Sequence, residues 1–247
     1  MTEKIHTIPV HDAYAQSTIC PLCSLLQTLT DDLVADCLGP SLMEPDVRIV
    51  TNERGFCKEH WRALYNSQSN RLGLGLILHT HLSDLADDLR QDLPRPATPI
   101  AKGLFAARPR DFRDKLIEYA AHIEQRTASC VICDRLEQTM AHYVDVICHE
   151  FVHEPTFRAQ FDASQGYCLT HFALLLRGAA HHLGPEQAAD LLRSLAARQL
   201  ASLDTLRDDV EWFTQKFDYR NATSDWKNSK DVLPRAIETL AGQSELQ

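Results

Sequence analysis

All eight cysteines of this chain fall into two sets that keep one register. Cys20, Cys23, Cys37 and Cys57 are answered by Cys130, Cys133, Cys148 and Cys168, at offsets of 110, 110, 111 and 111 residues. His60 and His171 obey the same offset, each three residues after the last cysteine of its set. The pattern is CxxC followed by CxxH, as CPLC then CKEH, and again as CVIC then CLTH. It constrains the fold strongly, because each pair of ligands must be brought to a common point.

Other residues keep the register. Glu44-Pro45 matches Glu154-Pro155, Arg48 matches Arg158, and Gly55-Phe56-Cys57 matches Gly166-Tyr167-Cys168. Two units of one pattern are therefore expected, at 1–92 and 111–215. Between them, 93–110 is a proline-rich linker holding Pro94, Pro96, Pro99 and Pro109. The tail 216–247 has no counterpart in the first half and is expected to pack on the body.

The units read as helical. Leu22, Leu25, Leu26, Leu29, Leu33 and Leu38 recur at helical spacing until Gly39-Pro40 stops them. Leu136, Met140, Tyr143, Val144 and Ile147 do the same in the second unit, and long apolar stripes follow each CxxH, at 72–89 and 183–206. Strand alternation is scarce, with Val47 to Val50 the best short candidate. The expected architecture is all-α: two pseudo-symmetric helical units from an internal duplication, each closed by a metal site.

CxxC leading into a helix offers two thiolates from one turn, and the electropositive helix N-terminus favours them. CxxH offers a thiolate and an imidazole in the same way. Taken in chain order, Cys20, Cys23, Cys57 and His60 form one site, and Cys130, Cys133, Cys168 and His171 the other. Three thiolates and one imidazole suit zinc, so two zinc ions are expected as structural staples. An iron–sulfur cluster with one histidine ligand is the alternative. Cys37 lies fourteen residues beyond Cys23, about 21 Å along an unbroken helix, so it and Cys148 are expected to be core thiols. A break in the helix would admit them to a cluster.

Other candidates resolve to plainer readings. His79 and His81 point to different helix faces. His149 and His153 make a solvated helix end, or else a surface metal site. Leu72-Gly73-Leu74-Gly75 lacks the strand and third glycine of a dinucleotide loop, so tight helix packing accounts for it. Asp84, Asp87 and Asp88 form a solvated face. Trp212, Phe213, Phe217 and Tyr219 strap the tail to the body or form a binding surface.

A net charge of −9 argues against nucleic acid and anionic membranes as partners. The longest apolar run, Leu72 to Leu78, is about a third of the ~20 residues a bilayer needs. With no signal peptide, the expected compartment is the cytoplasm, where paired thiols imply metal or redox chemistry. The expected function is a cytosolic metal-binding protein whose two Cys3His sites support a helical binding or scaffold module, for a protein or small-molecule partner not specified by the sequence. The alternatives are an iron–sulfur or thiolate–metal redox protein or enzyme, and a metallochaperone.

Taken together, TIPVHDA before CPLC, MEPDVRIVTNERGFCKEH, LGLGLILHTHL, CVIC with GYCLTHF, and WFTQKFDYRN with DWKNSKDVLPRAIETLAG resemble an uncharacterised bacterial family of unknown function. The resemblance covers nearly the whole chain. It implies a metal-binding cysteine framework, with Cys20, Cys23, Cys57, His60 and their counterparts as motif positions. The second CxxC has Val131 where the first has Pro21. Without the proline to stiffen its turn, that site is expected to be looser or more reactive.

Overall fold

The structure, a computed structural model, describes residues 3–95 and 109–243. Most of the expected linker therefore lies outside the described residues. The elements run α1 (Glu3–Ala15), α2 (Pro21–Leu38), a 3-10 turn (Pro40–Met43), α3 (Pro45–Arg54), α4 (Lys58–Asn66) and α5 (Arg71–Asp92). They continue with α6 (Pro109–Ala128), α7 (Val131–His153), α8 (Pro155–Ala163), α9 (Leu169–His182) and α10 (Pro185–Gln215). Two short 3-10 turns and α11 (Val232–Ala241) complete the described chain. Among the described residues there is no strand, and no helix is long and apolar enough to cross a membrane.

The expected helices form where periodicity placed them. The one strand candidate does not: Val47 to Val50 lie inside α3. Pro45 at the first helical position presets the backbone, Glu44 is the N-cap, and Ile49 and Val50 remain exposed, so no buried sheet face rewards their β-propensity. Both α2 and α7 are unbroken. This places Cys37 and Cys148 towards the C-terminal ends of their helices, at the opposite end from their own CxxC turns.

Residues matched in sequence play matching local roles. Glu44 and Glu154 are N-caps, each followed by proline. Arg48 donates to Thr80 Oγ1 at 3.0 Å, and Arg158 donates to Asp190 at 2.5 Å, both 32 residues on. Cys57 and Cys168 are both extended N-caps, of α4 and α9.

The chain forms two compact units, and their borders fall inside helices. The first comprises Met1–Leu29 with Gln138–Gln247, and the second Thr30–Glu137. The first unit gathers α1 and the start of α2 with most of α7 and with α8 to α11. Its core is aromatic-rich: Tyr14, Phe151, Phe157, Phe161 and Tyr167 are buried with Leu22, Ile147, Leu175, Leu191 and Leu195. The second holds the end of α2, α3 to α6 and the start of α7, around Leu33, Leu38, Phe56, Leu64 and Ile132.

The tail packs in the first unit, with α11 on α9 and α10. Lys216 anchors it. Only 6% exposed, its Nζ donates to the carbonyls of Asn221, Ala222 and Ser224 at 2.6, 3.2 and 2.6 Å. Trp226 receives the same ammonium at 5.1 Å from its ring centroid. The strap reading fits Trp212, whose Nε1 donates to Asp225 O at 3.0 Å. It does not fit Phe217 and Tyr219, which are exposed.

Candidate metal centres

Each centre is built from helix N-termini. Cys20 stands directly before α2 and Cys23 in its first turn, where Cys23 N–H donates to Cys20 O at 3.0 Å. Cys168 caps α9, and His171 sits in the first turn. The four meet in the first unit. Cys23 Sγ lies 3.6 Å from Cys168 Sγ, and His171 Nδ1 lies 3.5, 3.3 and 3.2 Å from the sulfurs of Cys20, Cys23 and Cys168.

The second unit repeats this with the roles exchanged. Cys130 and Cys133 open α7, while Cys57 and His60 open α4. Cys57 Sγ is 3.7 Å from Cys133 Sγ, and His60 Nδ1 is 3.2, 3.2 and 3.4 Å from Cys57, Cys130 and Cys133. Within each group all four ligand atoms lie within 4.8 Å of one another. Either group could hold one metal ion.

The pairing corrects the chain-order reading. Cys20 and Cys23 do not meet Cys57 and His60; they meet Cys168 and His171. Cys130 and Cys133 meet Cys57 and His60. The physical reason is where the unit borders fall: they lie inside the unbroken helices α2 and α7, between Leu29 and Thr30 and between Glu137 and Gln138. Each CxxC, at the start of its helix, therefore shares a unit with the other set's CxxH.

Local contacts lock the crossed arrangement. In the second unit Gly55 adopts φ +62°, open to glycine and costly for other residues. Its carbonyl accepts the Val131 N–H at 3.1 Å, coupling the CxxH approach to the CxxC turn. Beside it, Arg54 donates to both carboxylate oxygens of Asp134 at 2.8 Å. Sequence reading missed this fork, although Arg54 precedes the GFC motif and Asp134 follows the CxxC directly. In the first unit, Gly166 at φ +132° introduces Tyr167, whose N–H and C=O both bond Gln199, at 3.1 and 3.0 Å.

Electrostatics divides the ligand groups further. Hydrogen bonds from Cys20, then Cys23, hold Cys168 far below the ordinary thiol range, and Cys20 is pushed up by the same contact with Cys168. Burial works against the charge of His171, but its bonds to Cys168 and Cys23 outweigh it and raise the imidazole to about 9. A divalent cation bound there would displace the protons of these groups. Outside the centres, burial pushes Cys37 up to about 11 and Cys148 up to about 12. They are the inert core thiols expected.

This arrangement and its ordered motifs coincide with a family model that matches residues 1–247. The chain belongs to DUF6062, a family of unknown function. No curated protein and no solved structure matches the chain.

The remaining histidines stay outside the centres. His149 and His153 meet with tilted rings at the exposed end of α7, with centroids 4.5 Å apart, and no third ligand joins them among the described residues. His81 Nδ1 meets Asn52 O at 3.2 Å. Tight packing explains Gly73, where an added Cβ would stand 2.8 Å from Leu42 Cδ2, but not Gly75, where nothing lies within 4 Å.

Proposed function

We propose that this DUF6062 protein is a cytosolic zinc protein whose two Cys3His centres each bind one ion and close one helical unit. The observation that carries the reading is the convergence of three sulfurs and one imidazole nitrogen within 4.8 Å in both groups. The spacing also speaks for a single ion. With Zn–S near 2.3 Å and Zn–N near 2.0 Å, tetrahedral edges are about 3.8 Å between sulfurs and about 3.5 Å from sulfur to nitrogen. The observed separations of 3.6 and 3.7 Å between sulfurs fit these edges. A multi-iron cluster spreads its thiolates over several irons and needs a wider mouth.

Each ion would be a staple between segments more than a hundred residues apart in the first unit, and about seventy apart in the second. Two helix N-termini point at each centre and offset the negative charge of three thiolates on a dication. Four protein ligands close the shell, as in structural sites. The helical body then serves as a binding or scaffold module. The test is metal analysis of protein purified without oxygen. Two zinc ions per chain and no colour are expected. Iron with acid-labile sulfide and visible absorption would overturn the reading in favour of a redox protein.

A further inference from the structure

The two centres share one ligand set and differ in what covers them. In the first, all four ligands are buried, with Cys168 at 0% and Cys20 at 3% exposed. The end of α11 lies beside it: a Cβ built on its C-cap, Gly242, would stand 3.9 Å from Cys168 Sγ. A cleft of about 270 Å³ runs past Cys20 and Cys23, and Glu238 and Gln243 form its wall. In the second centre, His60 and Cys130 are buried, but Cys57 is half-buried and Cys133 is exposed. The asymmetry follows from the sequence. The tail that supplies α11 comes after α10, whereas the next described helix after α5 is α6, which leads into Cys130.

Exchange at a four-coordinate d10 ion requires an incoming ligand to reach the metal, or a departing thiolate to reach water. The ion can expand to five-coordination while this happens, and an exposed thiolate is the reactive one. Buried ligands slow both routes.

We propose that the centre of Cys57, His60, Cys130 and Cys133 is an exchange site. There a thiophilic dication such as zinc passes to and from thiol-bearing acceptors through Cys133, while the centre of Cys20, Cys23, Cys168 and His171 retains its ion. The proposal rests on the two-zinc reading above. Transfer is a ligand substitution: the Cys133 sulfur leaves the ion and takes a proton as the acceptor thiol loses one and binds. No electron moves.

The experiment loads the full chain with two equivalents of zinc and mixes it with a chromogenic chelator in excess. Two phases of one ion each are expected, the faster by about tenfold or more, as for exposed against buried thiolates. Cys133→Ser removes the fast phase and Cys20→Ser the slow one. Because either variant could misfold, the wild-type zinc protein is also pulsed with iodoacetamide and mapped by mass spectrometry. Cys133 and Cys57 must label before Cys20, Cys23 and Cys168. Two ions leaving in one phase, or first labelling in the buried centre, overturns the exchange proposal and leaves the two-zinc reading standing. Fewer than two ions bound at the start overturns the two-zinc reading itself.

Discussion

The sulfurs of Cys23 and Cys168 stand 3.6 Å apart although 145 residues separate them in the chain. Cys23 is therefore a partner of Cys168 and not of Cys57, which yields a counting test. Cys23→Ser with Cys168→Ser damages one centre, so one zinc per chain should remain. Cys23→Ser with Cys57→Ser damages both, so zinc should fall towards none. Metal content of the two doubles, measured on matched preparations, checks this. The chain-order pairing requires the opposite result.

How much of this was visible beforehand depends on the range of the signal. The CxxC and CxxH motifs are local, and helix-start geometry makes their ligands converge in pairs; Cys20 with Cys23, and Cys168 with His171, could be read directly. Which pair meets which is a matter of topology. It is fixed by α2 and α7, whose unbroken lengths carry the unit borders within them, and no local motif reports that. The strand-like run Val47 to Val50 misled because a β-branched run without a sheet partner follows the helix that Pro45 starts. The Arg54–Asp134 fork and the Lys216 cage were illegible for another reason: charged residues carry no periodic mark of whom they meet.

Gly178 lies in α9 where it crosses α7. A Cβ built there would overlap Val144 Cγ1 and stand 3.6 Å from Cys148 Sγ. Alanine gains about 1 kcal/mol in helix propensity, but overpacking in a filled core costs about 1–3 kcal/mol. At this overlap the second effect wins, and Gly178→Ala should destabilise by roughly 1–2 kcal/mol. Urea unfolding of the zinc-loaded protein reads it. Adding Val144→Ala should recover part of the loss, since the two changes share one contact.

Lys216 tests what holds the tail. Lys216→Met keeps the stem but deprives the carbonyls of Asn221, Ala222 and Ser224 of their donor. Hydrogen bonds to a charged group are worth about 1.5–3 kcal/mol, and these carbonyls lie near water, so the lower half of that range is expected. The loss should be local. Amide exchange should accelerate across 217–231, while the amides of α7 and α8 keep their protection. A uniform acceleration would show instead that the tail folds as one with the core.

Asp36 gives the pH dependence of the second unit. Its carboxylate takes a hydrogen bond from Arg135 at 2.7 Å and one from Ser41 at 2.6 Å. Arg135, the larger cause, and Ser41 hold the carboxyl below its usual range. A folded pKa below the unfolded one gives stability that is complete above the unfolded value, about 3.9, and vanishes as pH falls through the folded one. Both partners are partly exposed, with side chains at 45% and 32%, so the pair should contribute only about 0.5–1 kcal/mol. Arg135→Ala should therefore lose about that much at pH 7, and the gap from wild type should close at pH values below the unfolded carboxyl's. Acid also strips metal from thiolate sites, but it does so in both proteins, and their difference isolates the pair. Urea midpoints for the two proteins at a series of pH values check it; a gap that widens on acidification would refute the assignment.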